Sequence, residues 1–294
     1  MTISSTAPIK HTVETADTVV AYEVRGPVTP DDGRLPLFMI GQPMDSTGFV
    51  TLAGFFGDRT VITYDPRGVG RTVRKDGRTE VTPEDQARDV HAVIGEVGGR
   101  VDMFATSGGA VSALALVALF PNDVRTLVAH EPPLIGLLPD ADLAFAAERA
   151  VQRVYQDRGW GAGMAAFIGL TSWQGEFTDE YLQAAPPDPT QFGLPGEDDG
   201  SRNDPLLSGV ANSITAYRPD AHAVRAASAR VVIAGGIESR NTMTWRTSEA
   251  AAAALGVALT EFPSHHGGFM GGEFGQAGQP EAFAGRLREV LADA

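Results

Sequence analysis

Short apolar runs recur along this chain and alternate with segments whose apolar residues have helical spacing. An apolar run of about four to eight residues between turn residues is typical of a buried strand. Strands that alternate with helices in this way predict an α/β fold, in which a mainly parallel sheet is covered by helices. The predicted strands lie at 19–24, 35–40, 60–64, 101–105, 124–129, 230–234 and 257–262.

Helices and one long turn are predicted between these strands. Thr82 and Pro83 begin a helix that runs toward Val97, because threonine is a preferred N-cap and proline fits the first turn. Residues 110–120 are almost all apolar and predict a buried helix, and the Pro-, Asp- and Gly-rich segment 27–34 predicts a turn. An amphipathic helix at 280–292 is predicted to bury Phe283, Leu287, Val290 and Leu291.

The chain between the strands at 124–129 and 230–234 contains no convincing strand. A helical insertion in such a sheet often covers the carboxyl ends of the strands, where α/β sheets bind ligands. We therefore expect a core formed by residues 1–133 and 223–294 and a helical cap formed by residues 134–222. Helical patterns within the insertion lie at 141–157, 160–173 and 205–217.

Composition narrows the class of protein. A chain of 294 residues with 43% hydrophobic content is long enough for one large α/β domain with an insertion. The absence of cysteine excludes disulfides and thiolate nucleophiles. The net charge of −14 repels phosphate backbones, so we expect no nucleic-acid partner. No signal peptide or membrane-spanning segment is recognised, and the prediction is a cytoplasmic protein without a membrane partner.

The clearest chemical signal lies where the strand at 101–105 meets the helix at 110–120. A strand that turns sharply into a helix at one serine forms a nucleophile elbow, and the residues two positions away must be tiny. Around Ser107 these residues are Ala105 and Gly109, so the pattern is A-x-S-x-G rather than the usual G-x-S-x-G. The alternative is an ordinary Gly-rich turn; the elbow interpretation makes Ser107 a nucleophile.

A serine nucleophile needs a base within hydrogen-bond reach. Among the six histidines, His265 and His266 follow the last predicted strand and precede Gly267 and Gly268. A histidine in that loop can reach across the carboxyl edge of the sheet to Ser107. We favour His266 over His265 as the base because it directly abuts the flexible glycine pair.

The base in turn needs a carboxylate to hold its tautomer and to stabilise the imidazolium. Glu131 follows the strand at 124–129 and precedes two prolines, which make a rigid loop. Glu238 follows the strand at 230–234, where pairing with Arg240 is the competing interpretation. Both glutamates stand just past a strand's carboxyl end, so the residues alone leave the choice open.

The negative charge that develops on the attacked carbonyl needs two backbone N–H donors. Gly108 follows the nucleophile, and Gln42 follows the strand at 35–40, where Pro43 has no N–H to give. The other loop of interest, 64–72, lacks the G-x-x-x-x-G-K pattern of a phosphate loop. We interpret it as a structural turn in which Asp65 bonds locally.

Together these residues resemble the α/β-hydrolase superfamily. The loop 64–72 resembles its D-x-R-G-x-G-x-S/T turn, Ala105–Gly109 its elbow, and Pro263–His266 its P-G-G-H loop, which places His266 at the catalytic position. The resemblance implies an eight-stranded sheet, a helical cap inserted after the sixth strand, and a Ser–His–acid triad. Since the elbow holds Ser107 rather than aspartate, the likeness to epoxide hydrolases and haloalkane dehalogenases ends there.

A narrower resemblance is to the zearalenone-type lactonases, which carry the acid in an H-E-x-P segment after the sixth strand. His130–Pro133 matches that segment, which favours Glu131 over Glu238. We therefore expect a serine hydrolase without a cofactor or metal that cleaves an apolar ester or lactone of small size. A C–C bond hydrolase, a perhydrolase and a ligand-binding protein on the same fold are the alternatives, and a homodimer stays open. Candidate substrate-binding residues of the cap are Trp160, Met164, Phe167 and Trp173.

Overall fold

The strands of the computed structural model follow the predicted apolar runs closely. The model describes residues 7–26 and 34–292, so most of the turn predicted at 27–34 and the ends of the predicted core lie outside it. Each predicted strand is present and is shifted by no more than two residues at either end. The strands are β1 (Ile9–Glu14), β2 (Thr18–Arg25), β3 (Leu37–Ile40), β4 (Val61–Tyr64), β5 (Val73–Arg74), β6 (Val101–Thr106), β7 (Val124–His130), β8 (Arg230–Gly236) and β9 (Leu259–Phe262).

All the described strands belong to one sheet with the order β1-β2-β4-β3-β6-β7-β8-β9. The pairs from β4 through β9 are parallel, whereas β2 runs antiparallel to β1 and β4. Eight strands were expected, and the ninth is the two-residue β5, which pairs with β2 beside the main path. The long insertion follows β7, the sixth strand along the chain when β5 is left out.

Helices cover both faces of this sheet. The helices are α1 (Val50–Gly54), α2 (Pro83–Glu96), α3 (Gly108–Leu119), α4 (Ala141–Ser172), α5 (Asp179–Gln183), α6 (Asn212–Thr215), α7 (Ala221–Ala226), α8 (Met243–Leu255) and α9 (Pro280–Ala292). One apolar cluster joins α2, α3 and α8 to one face, and a second cluster joins α1 and α9 to the other. The helix α3 is buried almost all round because its residues are nearly all small or aliphatic.

The insertion at 134–222 is mainly helical and has an apolar cluster of its own. Its long helix α4 is interrupted at Gly159, whose φ of 82° and ψ of −174° are not helical, and this matches the two predicted helices. The helix predicted at 205–217 is wrong in extent, since only α6 forms. Gly209 with φ 85° stops a continuous helix there, and the Asp204 carboxylate caps the turn before it.

Candidate active site

The carboxyl ends of neighbouring parallel strands bring the candidate residues to one edge of the sheet. Gln42 follows β3, Ser107 follows β6, and Glu131 follows β7, all of which are adjacent in the sheet. His266 lies in the loop after β9. This is the edge at which open α/β sheets bind ligands.

Ser107 occupies a sharp turn between β6 and α3. Its backbone has φ 56° and ψ −133°, a conformation that costs a non-glycine residue on the order of 1–3 kcal/mol. A Cβ on Gly109 would lie 2.7 Å from the Cα of Gly41, so only glycine fits beside the β3 loop. Ala105 is completely buried in β6. The A-x-S-x-G pattern therefore has the backbone geometry of a nucleophile elbow.

His266 and Glu131 are joined by a direct hydrogen bond. The Nδ1 atom of His266 lies 2.7 Å from Oε2 of Glu131. The Thr244 hydroxyl also donates to Oε2 (2.6 Å), and the backbone N–H of Gly236 donates to Oε1 (2.9 Å). Glu131 is fully buried, and its φ of 48° turns the chain sharply after β7. The carboxylate is thus held by three donors from three different segments.

Burial and hydrogen bonding act in opposite directions on the pKa of Glu131. Burial alone would raise it, but the hydrogen bond and charge of His266, with help from His130 and Thr244, hold the pKa well below its usual range. Glu131 is therefore ionised at neutral pH. An ionised carboxylate on Nδ1 fixes a neutral imidazole with its proton on Nδ1 and leaves Nε2 able to accept a proton.

The other histidine of the pair has different contacts. The backbone N–H of Gly267 donates to Nδ1 of His265 (3.1 Å), and Nε2 of His265 lies 3.4 Å from the carbonyl oxygen of Ala277. His265 thus bonds within its own loop. The side chain of His266 is 43% exposed, which leaves its imidazole accessible from solvent.

The alternative acid Glu238 lies in an exposed turn after β8. Its carboxylate accepts hydrogen bonds from Gln279 (2.9 Å) and from the hydroxyl of Ser264 (3.3 Å). It reaches the loop that carries His266 but bonds to Ser264 there. The pairing of Glu238 with Arg240 that the sequence suggested is wrong, because Arg240 bonds to Glu261.

The two predicted oxyanion donors are neighbours. Gly108 begins α3, so its N–H has no acceptor within the helix. A Cβ on Gly108 would lie 3.1 Å from the backbone oxygen of Gln42 and 3.3 Å from the Gln42 Cβ. The same Cβ would lie 3.2 Å from Cγ2 of Ile214, which belongs to α6. Ile214 was not predicted as a site residue, because the sequence placed it within a longer helix.

The four apolar residues predicted to bind substrate are all half-buried in α4 or at its end. The indole N–H of Trp160 donates to the carboxylate of Asp204 (3.0 Å), and that of Trp173 donates to the carbonyl oxygen of Glu176 (3.0 Å). Met164 and Phe167 pack against the insertion's apolar cluster, as do both tryptophans. These contacts support the alternative interpretation of internal packing, and substrate contact stays a prediction.

Asp65 has the local bonding that the sequence suggested. One carboxylate oxygen accepts from the backbone N–H of Ser46 (3.1 Å) and the other from that of Arg71 (2.9 Å). A Cβ on Gly70, whose φ is 59°, would lie 2.6 Å from the same carboxylate. The loop 64–72 is therefore a structural turn that supports the segment after β3.

Within residues 7–26 and 34–292, no group of three or more His, Cys, Asp or Glu side chains is placed to hold a metal ion. No helix there is long and apolar enough to cross a bilayer.

Known proteins resemble this chain in sequence and in fold. The uncharacterised hydrolase YraK of Bacillus subtilis is 23% identical over 256 residues, which cover 85% of this chain and 86% of YraK. An esterase of Thermogutta terrifontis superposes with a TM-score of 0.62 at 20% identity over 98% of both chains. A candidate epoxide hydrolase of Klebsiella pneumoniae superposes with a TM-score of 0.61 at 17% identity over 96% of both.

These structural likenesses fall under 25% identity and show the fold alone. A family model identifies the chain more directly, because it matches residues 40–286, most of the sequence. The chain belongs to the Alpha/beta hydrolase family.

Proposed function

We propose that this hydrolase cleaves carboxylic esters or lactones through a triad of Ser107, His266 and Glu131. The observation that carries the proposal is the buried, ionised Glu131 on Nδ1 of His266. That contact prepares Nε2 to act as a base. The strained elbow at Ser107 presents a hydroxyl at the same edge of the sheet.

In the first half-reaction the Ser107 oxygen attacks the substrate carbonyl while Nε2 of His266 takes the hydroxyl proton. His266 becomes an imidazolium, which Glu131 stabilises, and then gives the proton to the departing alkoxide oxygen. The product of this step is an acyl-enzyme on Ser107. For a lactone, acid and alcohol stay joined in one chain, and the ring opens.

In the second half-reaction His266 takes a proton from water as the water oxygen attacks the acyl carbon. The bond from that carbon to the Ser107 oxygen then breaks, His266 returns the proton to Ser107, and the carboxylic acid leaves. The N–H groups of Gly108 and Gln42 stabilise the oxyanion in both halves, and each such donor contributes on the order of 2.7–4 kcal/mol to transition-state stabilisation. The N-terminus of α3 adds favourable charge at the same place.

The choice of bond rests on the serine at the elbow. Ser107 forms an acyl-enzyme with a carbonyl substrate, and an ester presents both that carbonyl and a good leaving group. The apolar side chain of Ile214 lies beside Gly108, which favours a small and largely apolar substrate over a polar one. We further propose a cytoplasmic enzyme that needs no cofactor.

The test is a panel of activated esters and of lactones with different ring sizes, hydrolysed by the wild-type protein and by Ser107→Ala. The proposal expects turnover of at least one ester or lactone and a loss of several orders of magnitude in Ser107→Ala. Ser228→Ala, the same chemical change at an exposed serine that bonds to Pro121, is the matched control and retains activity. Normal ester hydrolysis by Ser107→Ala would show that the proposed mechanism is wrong. Turnover confined to β-diketones, or formation of a peracid, would show that the same residues catalyse C–C bond hydrolysis or perhydrolysis instead of ester hydrolysis.

A further inference from the structure

The proposed mechanism does not use His130, the buried histidine that precedes Glu131. His130 is the last residue of β7 and is completely buried. Its ring packs against three phenylalanine rings, with centroid distances of 6.1 Å to Phe104, 6.1 Å to Phe262 and 5.3 Å to Phe283. A polar ring in such surroundings needs partners for its two nitrogens, because an unpaired buried polar atom is costly.

One nitrogen has a partner and the other has none among the described residues. Nδ1 of His130 lies 3.2 Å from the hydroxyl oxygen of Thr106. Nε2 makes no hydrogen bond there and lies 4.0 Å from Oε1 of Glu131, beyond hydrogen-bond range. The unpaired nitrogen therefore lies near the oxygen of the proposed acid that does not bond to His266.

The carboxylate decides which nitrogen of His130 carries the proton. A lone pair on Nε2 facing the negative Oε1 of Glu131 would be repelled, whereas an N–H dipole is attracted. The Thr106 hydroxyl can then donate to Nδ1, since a hydroxyl both donates and accepts. The arrangement selects the tautomer with the proton on Nε2.

The ring stays uncharged in this environment. Burial lowers the pKa of His130 to about 4, with Glu131 opposing the shift and His265 and His266 adding to it. Among residues 7–26 and 34–292, these three are the charged or titratable groups that act on the ring. If His130 were protonated, a second cation would lie 6.2 Å from the ring of His266 and would compete with it for the carboxylate of Glu131. Because His130 is neutral, the negative charge of Glu131 stays available to His266.

We propose that His130 is a positioning residue for the triad, which holds the Oε1 side of Glu131 through a neutral Nε2–H dipole. The proposal rests on the proposed function of Glu131 and His266. His130 also connects the acid to the nucleophile. Its carbonyl oxygen accepts the backbone N–H of Ser107 at 2.9 Å, and its ring bonds to Thr106, the residue before Ser107. His130 thus lies between the proposed acid Glu131 and the proposed nucleophile Ser107.

Two amide substitutions separate the two nitrogens. In His130→Gln the amide nitrogen takes the place of Nε2 and keeps an N–H facing Glu131. In His130→Asn the amide takes the place of Nδ1 and keeps only the contact with Thr106. Both variants are neutral and polar at the same buried position, so they share the general cost of losing the ring. The difference in kcat between the two variants therefore reports the effect on Glu131 of an N–H dipole at position 130.

Hydrolysis of an activated ester is measured from pH 5 to pH 9 for both variants. His130→Gln is expected to keep kcat within threefold of the wild type, whereas His130→Asn loses about 10- to 100-fold in kcat with little change in KM, as a displaced catalytic group does. Without the dipole the full charge of Glu131 acts on His266. The acid limb of the pH profile therefore moves to higher pH in His130→Asn. Equal kcat values and equal acid limbs in the two variants overturn the proposal.

A measurement on the wild-type protein covers the case in which a variant does not fold. Imidazole ¹⁵N chemical shifts distinguish the two neutral tautomers and the cation. His130 is expected to be neutral and protonated on Nε2 throughout pH 5–8. Protonation on Nδ1, or titration of His130 within that range, overturns the proposal. If instead Ser107→Ala stays active, the proposed function fails and not only the role of His130.

Discussion

Replacing Glu131 by glutamine changes one oxygen to an amide nitrogen at a place where the surrounding donors dictate its orientation. The backbone N–H of Gly236 donates to Oε1 and cannot turn away, so the amide oxygen must take that position. The amide nitrogen then takes the position of Oε2, next to Nδ1 of His266. The hydroxyl of Thr244 can rotate to accept from this nitrogen.

The consequence for His266 is the wrong tautomer. An N–H₂ group facing Nδ1 requires a lone pair there, which moves the ring proton to Nε2. A protonated Nε2 cannot accept the proton of Ser107. In a serine protease triad the equivalent change from carboxylate to amide lowers kcat by roughly 10⁴-fold. We expect a loss of about 10³- to 10⁴-fold in Glu131→Gln, or about 4–5.5 kcal/mol of transition-state stabilisation.

The assay is steady-state hydrolysis of an activated ester at pH 7.5, with thermal unfolding to show that the variant is folded. Glu238→Gln is the matched control, because the same chemical change falls on an exposed side chain that bonds to Gln279 and Ser264. We expect its kcat to stay within threefold of the wild type. Similar losses in both variants, or a larger loss in Glu238→Gln, would show that Glu131 is not the acid that orients His266.

Three further predictions concern the elbow and the insertion. Gly109→Ala forces its Cβ to 2.7 Å from the Cα of Gly41 and is expected to cost about 1–3 kcal/mol in chemical unfolding. The control Gly285→Ala, in α9 with open space, should cost nothing; equal effects would contradict the clash. Ile214→Ala opens space beside Gly108, so KM should change more for bulky than for small esters, and uniform kinetics would argue against contact with substrate. Burial raises the pKa of Glu148 to about 7, above its unfolded value of 4.5, so its stabilising contribution is lost as pH rises through 7. Glu148→Gln should therefore raise the free energy of unfolding at pH 8, by at most about 3 kcal/mol, and leave it unchanged at pH 4.

The sequence was sufficient for the central strands because their burial on both faces leaves a continuous apolar run. The edge strand β1 lacks that burial and was therefore missed: five of its six residues are exposed, and no apolar run marks it. Gly159 was visible as a gap between two helical patterns. The extent of α6 was not, because the turns before it are set by the Asp204 cap and the positive φ of Gly209.

The candidate site could be predicted in its residues but not in its bonding. Glu131 and Glu238 both follow parallel strands, and no spacing rule decides which carboxylate reaches the base. The decision depends on the turn at Glu131, whose φ of 48° directs the side chain inward, and on the register that brings Gly236 alongside it. The packing of Ile214 over Gly108 depends on the path of the insertion, which has no signal in the sequence.

Covalent labelling shows whether Ser107 is the activated nucleophile. The wild-type protein is treated with a serine-directed phosphonate at pH 7.5, and intact mass and peptide mapping locate the adduct. We expect one phosphonyl group on Ser107, slow or absent labelling of Glu131→Gln, and no labelling of Ser107→Ala. Ester turnover without labelling, or an adduct on another residue at the same rate, would exclude Ser107 as the nucleophile.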